Sequence, residues 1–150
     1  MTGRYAAKTK VPADRSRREI EETLSRYGAD QFISGWEKGR AMLGFRVKNR
    51  QVRFELPLPT IDGTPRQIKE AEQETRQRWR ALLLVIKAKL EAVQSDISTF
   101  ESEFLAHIVL PNNQTVGSWV LPQVAAAYKT GTMPKLLGDG AETIQGEVVK

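Results

Sequence analysis

Two neighbouring runs of alternating residues constrain the fold more than any other feature of this sequence. Residues 40–47 alternate between apolar side chains and polar or small ones, and residues 51–58 do the same. A period of two places successive side chains on opposite faces of a β-strand, so each run predicts a strand with one buried face. With a third run at residues 31–37 and short turns between them, the pattern predicts a three-stranded antiparallel meander. The apolar residues predicted to be buried on it are Phe32, Trp36, Leu43, Phe45, Phe54 and Leu56.

The opposite face of the predicted sheet is basic. Between Lys38 and Arg53 the chain has six basic residues and no acidic one. Residues 1–60 have a net charge of +6, whereas residues 61–150 have a net charge of −1. A concentrated positive surface is typical of nucleic-acid binding, although a solvated surface that keeps the protein soluble has the same composition. The residues predicted to contact phosphates are Arg40, Arg46, Lys48, Arg50 and Arg53, with Arg76 and Arg80 as a second patch.

Helix signals flank the predicted strands. Ser16 and Glu19 fit a capping box before a short amphipathic helix that stops near Gly28. A second capping box at residues 64–67, with proline at the first helical position, opens a helix that runs to about Gln94, a length of roughly 45 Å. The apolar second half of this helix is predicted to pack on the sheet. Its predicted core residues are Trp79, Leu83 and Ile86.

Two smaller helices complete the predicted fold. One begins after Thr99, and the other begins near Ser118 and tolerates Pro122 in its first turn. The sequence therefore predicts one α+β domain at residues 1–137: a short helix, a three-stranded antiparallel meander, a long helix packed on the sheet, and two smaller C-terminal helices. Residues 1–11 form a basic arm of this domain, and residues 138–150 form a tail without its own core.

The polar first half of the long helix predicts a contact with another molecule. A helical segment needs tertiary packing to persist, and this segment has no apolar face of its own. Its acidic residues at 70–74 precede its basic residues at 76–80, so an antiparallel copy would set opposite charges against each other. A homo-oligomer or a partner contact is therefore expected at residues 66–80.

The sequence has few of the residues that common catalytic sites require. It has no cysteine, and its single histidine, His107, argues against a protein-only zinc site. It has no phosphate-binding glycine loop and no serine nucleophile elbow. We therefore expect no enzyme activity, no cofactor and no metal. The longest apolar run has six residues, and the N-terminus lacks a secretory signal, so a cytoplasmic protein is expected.

Several segments resemble a family of small proteins encoded in phage and prophage genomes. They are RYAAKT at residues 4–9, SRREIE at 16–21, RYGA at 26–29, VRFELPLP at 52–59, the stretch 77–91, and HIVLP at 107–111 with TVG at 115–117. The resemblance spans roughly residues 4–137. It implies a phage origin and a host cytoplasm, and it supplies no functional residue.

Two main functions fit these observations, and an enzyme or small-anion binder whose site has no motif in the sequence is a third. The leading hypothesis is a non-catalytic nucleic-acid-binding protein of a phage replication, recombination or regulation module, binding DNA or RNA through the basic sheet face. The alternative is a phage effector that inhibits a host defence or transcription protein, using the same basic face against an acidic partner surface.

Overall fold

The computed structural model describes residue 6 and residues 8–134, so the predicted tail and the start of the predicted arm lie outside the described residues. The fold is α+β, as predicted. Its elements in chain order are α1 (Ala13–Tyr27), β1 (Gln31–Glu37), β2 (Arg40–Val47), β3 (Arg50–Pro57), α2 (Pro65–Gln94), α3 (Phe100–Phe104), a short 3-10 helix (Leu105–His107) and α4 (Val116–Thr130).

The three strands form the predicted antiparallel meander in the order β1-β2-β3. The hairpin between β2 and β3 turns at Lys48 and Asn49, whose φ angles are 49° and 62°. Two successive residues at positive φ match the right-handed twist of the flanking strands, and asparagine tolerates this conformation well. Phe45 lies opposite Phe32 on one side and opposite Val52 on the other, so the pairing places apolar side chains of all three strands on one face.

The core lies between this apolar face, here called the helix face, and helices α1 and α2. Ile20 and Leu24 of α1 are fully buried there, and α3 adds Phe104, whose ring meets those of Phe45 and Phe54 edge-on. The predicted core residues that are confirmed as buried are Leu43, Phe45, Phe54, Trp79, Leu83 and Ile86. Phe32 and Leu56 are only partly buried at the margin of the core.

The prediction that Trp36 belongs to the core is wrong. Trp36 lies opposite Ala41 and is therefore on the helix face, as the alternation along β1 predicts. Even so, 84% of its surface is exposed. The helices do not close over this end of the sheet. A cavity of about 740 Å³ separates Trp36 from Ala13 of α1, Leu58 and the buried Trp79 of α2. Strand parity fixes the face on which a side chain lies, but it does not decide whether a helix covers that position.

Helix α2 begins as predicted. The Thr64 hydroxyl accepts a hydrogen bond from the Gln67 backbone N–H at 3.2 Å, and the Gln67 side chain accepts one from the Thr64 backbone N–H at 2.8 Å. Helix α1 ends at Gly28 as predicted, but its predicted start is wrong, because the helix begins at Ala13 after Pro12, without a side-chain cap. Ser16 instead lies one turn inside the helix and is fully buried.

Helix α4 also begins earlier than predicted. Its first residue is Val116, and the Thr115 hydroxyl caps it by accepting from the Ser118 N–H at 3.2 Å. Pro122 therefore lies in the helix interior rather than in the first turn. None of the α4 residues is buried, so this helix contributes little to the core.

The first half of α2 is packed within the chain. Ala71 and Gln77 are buried, and the Arg80 guanidinium lies 3.3 Å from the Glu19 carboxylate of α1. The Gln73 side chain donates to the Thr9 carbonyl at 2.8 Å. These contacts remove the reason for expecting an unpacked segment at residues 66–80, and the homo-oligomer through that segment stays a prediction. None of the described helices combines the length and the apolar character that a membrane span requires.

Candidate nucleic-acid interface

The second side of the sheet, here called the outer face, is the surface predicted to be basic. Its residues are Gln31, Ile33, Gly35 and Glu37 of β1, Arg40, Met42, Gly44 and Arg46 of β2, and Gln51, Arg53, Glu55 and Pro57 of β3. None of these twelve residues is buried. Period-two alternation explains this face, since each core residue of a strand is flanked by outer-face residues.

Arg46 lies on the central strand β2, between Gln31 of β1 and Gln51 of β3, and pairs with Asp30. The arginine Nε lies 2.9 Å from Asp30 Oδ1, and its Nη2 lies 3.3 Å from Oδ2, a two-point contact between guanidinium and carboxylate. The hydrogen bond from Arg46 lowers the pKa of Asp30 and raises that of Arg46. Both side chains remain exposed to solvent. Asp30 directly precedes β1 and is not among the residues predicted to form the site.

Arg40 and Arg53 share a second carboxylate. Glu55 lies between them, with one oxygen 3.9 Å from Arg40 Nη1 and the other 3.9 Å from Arg53 Nε. Arg40 also pairs with Glu37. Arg53 is the least exposed of the three arginines, because its guanidinium donates to the side chain and the carbonyl of Asn113 at 3.2 and 2.9 Å.

The remaining strand residues of the predicted site point in different directions. Lys48 lies at the tip of the β2–β3 hairpin and makes no ion pair with any described residue. Arg50 follows at the start of β3, opposite Val47, and therefore has helix-face parity. Its guanidinium lies 3.5 Å from Glu101 of α3, so Arg50 does not join the outer face.

The predicted second patch lies on the other side of the sheet. Arg76 and Arg80 belong to α2, which packs on the helix face. Arg76 donates to Gln73 at 2.6 and 3.1 Å, and Arg80 pairs with Glu19. The seven predicted residues therefore divide into an outer-face group of Arg40, Arg46 and Arg53, the hairpin-tip Lys48, and three residues on the helix side.

The outer face is more balanced in charge than the sequence pattern indicates. Its arginines are matched by three carboxylates: Asp30 just before β1, Glu37 at the end of β1, and Glu55 of β3. Two apolar side chains, Ile33 and Met42, are also exposed on it. Glu55 alternates with Arg53 along β3, whereas Asp30 and Glu37 lie outside the basic run from Lys38 to Arg53 and meet its arginines only in the folded sheet.

His107 is a structural residue at the edge of the core. Its ring stacks on Phe54 with a centroid distance of 4.0 Å. Partial burial lowers the pKa of His107, and the positive charge of Lys89 lowers it further. In the described part of the chain, no group of three or more histidine, cysteine or acidic side chains could bind a metal ion.

Comparisons with known proteins assign no family and no function to this chain. No protein-family model, no curated protein and no solved structure matches the chain.

Proposed function

We propose that this protein binds nucleic acid without catalysis, through the outer face and the Lys48 hairpin tip. The observation that supports it best is the projection of Arg40 and Arg46 from one exposed side of a three-stranded sheet, with the less exposed Arg53 beside them on the same face. Arginine binds phosphate oxygens through two parallel N–H groups, and these three arginines lie on two neighbouring strands.

The carboxylates beside these arginines do not preclude phosphate binding. Exposed ion pairs contribute only about 0–1 kcal/mol each, because water competes with both partners. A phosphate can therefore displace Asp30 from Arg46 at small cost. The carboxylate then acts as a competitor, which lowers non-specific affinity. Gln31 and Gln51, whose side chains meet at 3.2 Å beside Arg46, supply amide groups of the kind that read base edges.

The setting that we propose is the one implied by the resemblance to phage proteins. In it, the protein belongs to a replication, recombination or regulation module and acts in the host cytoplasm.

The test is a titration of fluorescently labelled single-stranded and double-stranded DNA and RNA, followed by anisotropy at two salt concentrations. We expect binding that weakens steeply with salt, because each neutralised phosphate releases counterions. The double variant Arg40→Gln/Arg46→Gln should lose most of this binding. The matched control is Arg26→Gln/Lys87→Gln, which removes the same net charge from exposed helix positions away from the outer face.

A second variant tests the competitor role of the carboxylate. Asp30→Asn removes the charge that pairs with Arg46 and keeps the side-chain size, so nucleic-acid binding should become tighter. The proposal fails if no nucleic acid binds at low salt. It also fails if the control pair weakens binding as much as the outer-face pair does.

The balanced charge of the outer face favours a second candidate function. Alternating arginines and carboxylates around exposed Ile33 and Met42 resemble a protein-binding surface, since such interfaces combine apolar residues with a charged rim. In this alternative the protein is an effector that inhibits a host defence or transcription protein. Its signature would be capture of a host protein that survives nuclease treatment and is lost in Met42→Lys, together with no binding in the anisotropy titration.

A further inference from the structure

Strand β1 has a free edge. It pairs with β2 on one side, and in the described part of the chain nothing pairs with its other side. The opposite edge of the sheet, at β3, is partly paired, because the Val109 N–H donates to the Gln51 carbonyl of β3 at 2.7 Å. Exposed edges are commonly protected by lysine, proline or a bulge, since their unpaired backbone groups bind other strands. Residues 31–37 contain neither lysine nor proline.

We propose that β1 pairs with β1 of a second copy, antiparallel and around a twofold axis at Ser34. Such a pairing is isologous, because each copy contributes the same seven residues. It joins two three-stranded sheets into one continuous six-stranded sheet. The proposal rests on how the exposed side chains of β1 complement each other in this register, and it does not depend on the function proposed above.

When Ser34 of one copy lies opposite Ser34 of the other, the apolar residues of the two β1 strands lie opposite each other. Trp36 then lies directly opposite Phe32 of the second copy on the helix face. Directly opposite side chains contact each other across a strand pair, and aromatic pairs are among the favourable ones. The contact would cover the most exposed tryptophan surface in the described chain together with a phenylalanine at the margin of the core.

On the outer face the same register sets Ile33 opposite Gly35. Ile33 is 48% exposed, and nothing lies within 4 Å of the position that a Cβ of Gly35 would occupy. A large side chain opposite a strand glycine covers the backbone that the glycine leaves open. Both copies make this contact, so the register fills both vacant positions at once.

The charges at the ends of the strand agree with this register. Lys38 of each copy lies opposite Asp30 of the other, whose carboxylate also pairs with Arg46 of its own chain, and Lys38 makes no ion pair within the described chain. Moving the axis to Ile33 would set Trp36 against Asp30, and moving it to Gly35 would set Ile33 against Glu37. The axis at Ser34 is therefore the one that matches apolar with apolar residues and positive with negative ones.

Disulfide trapping tests the register, because the natural chain has no cysteine. Directly opposite residues of an antiparallel pair have Cα atoms about 4.5–5.5 Å apart, within the span of a disulfide. Under mild oxidation Ser34→Cys should form a covalent dimer. Ile33→Cys and Gly35→Cys should each do so poorly alone, yet a mixture of the two should form the heterodimer efficiently.

Sedimentation of the uncross-linked protein provides the second measurement. Without nucleic acid, the protein should show a concentration-dependent dimer at micromolar concentrations. Trp36→Ala should shift it to monomer, whereas Tyr128→Ala, which removes a similarly exposed aromatic ring from α4, should leave the dimer unchanged. A strict monomer at high micromolar concentration overturns the proposal. A dimer that is insensitive to Trp36→Ala but lost on changes at residues 66–80 also overturns it, in favour of the long-helix interface.

Discussion

Replacing Phe54 with alanine tests the packing on which the fold depends. Phe54 is 6% exposed and lies in the middle of β3 on the helix face, opposite Leu43 of β2. Its ring meets Phe104 edge-on at 6.3 Å and stacks on His107 at 4.0 Å, so truncation would leave a cavity between β3 and the 100–107 segment. Phenylalanine-to-alanine changes in a core cost about 3–5 kcal/mol, and the two ring contacts place this site in the upper half of that range.

The expected loss is measurable as a shift in melting temperature. Near 60 °C the entropy of unfolding is about 2.1 cal/mol/K per residue, so a loss of about 4 kcal/mol lowers the melting temperature of this chain by roughly 10–15 °C. Calorimetry or urea unfolding of Phe54→Ala measures it. The comparison variants are Phe54→Leu, which keeps most of the apolar volume, and Tyr128→Ala, whose exposed ring should contribute less than about 0.5 kcal/mol. A loss below about 1 kcal/mol in Phe54→Ala would refute the assignment of this ring to the core.

Two further predictions concern pH and backbone packing. Because the folded protein lowers the pKa of His107, the unfolded chain takes up a proton more readily; stability should be full above about pH 6.5 and should fall as the pH drops below it. His107→Phe should flatten that part of a plot of melting temperature against pH, and an unchanged slope would contradict the role of the imidazole. Gly117→Ala should destabilise by about 1–3 kcal/mol, because the new Cβ would lie 2.9 Å from the Ala106 carbonyl oxygen. Gly44→Ala, which meets only an ordinary contact, is the matched control in thermal melts, and equal effects would refute the close approach.

The sequence predicted those features of the fold that local chemistry determines. The period-two runs located the strands because one face of each must be buried, and residues 64–67 located the start of α2 because both halves of a capping box are present. Local signals failed where tertiary packing decides. Ser16 has the composition of a cap, but α1 extends one turn further, to Ala13, which packs against the core.

The candidate site was less predictable, because it depends on which residues the register brings together. Arg40, Arg46 and Arg53 were placed on one face by parity alone, and the structure has them there. The carboxylate that pairs with Arg46 precedes β1, and Asn113 reaches Arg53 from a loop 60 residues away. Neither contact has a signal in the local sequence. The number of basic residues along the sequence therefore overestimated the net positive charge of the outer face, because it did not include carboxylates that contact these arginines only in the folded chain.

The two proposals make different uses of the same sheet. A dimer centred on Ser34 would extend the outer face across six strands, and strands are spaced about 4.8 Å apart. The two copies of Arg53, on the outermost strands, would then be separated by roughly 24 Å across the strands. The two copies of Arg46, on the strands next to the paired β1 strands, would be about 14 Å apart across the strands and about 20 Å apart along them, because Gln31, which pairs with Arg46, is three residues from the axis. Such a surface would contact two stretches of one polyanion at once. When two binding faces are joined, binding at the first raises the effective concentration of the polyanion at the second, so the overall affinity increases. The dimer would thus offset the weakening that the paired carboxylates impose on each single face.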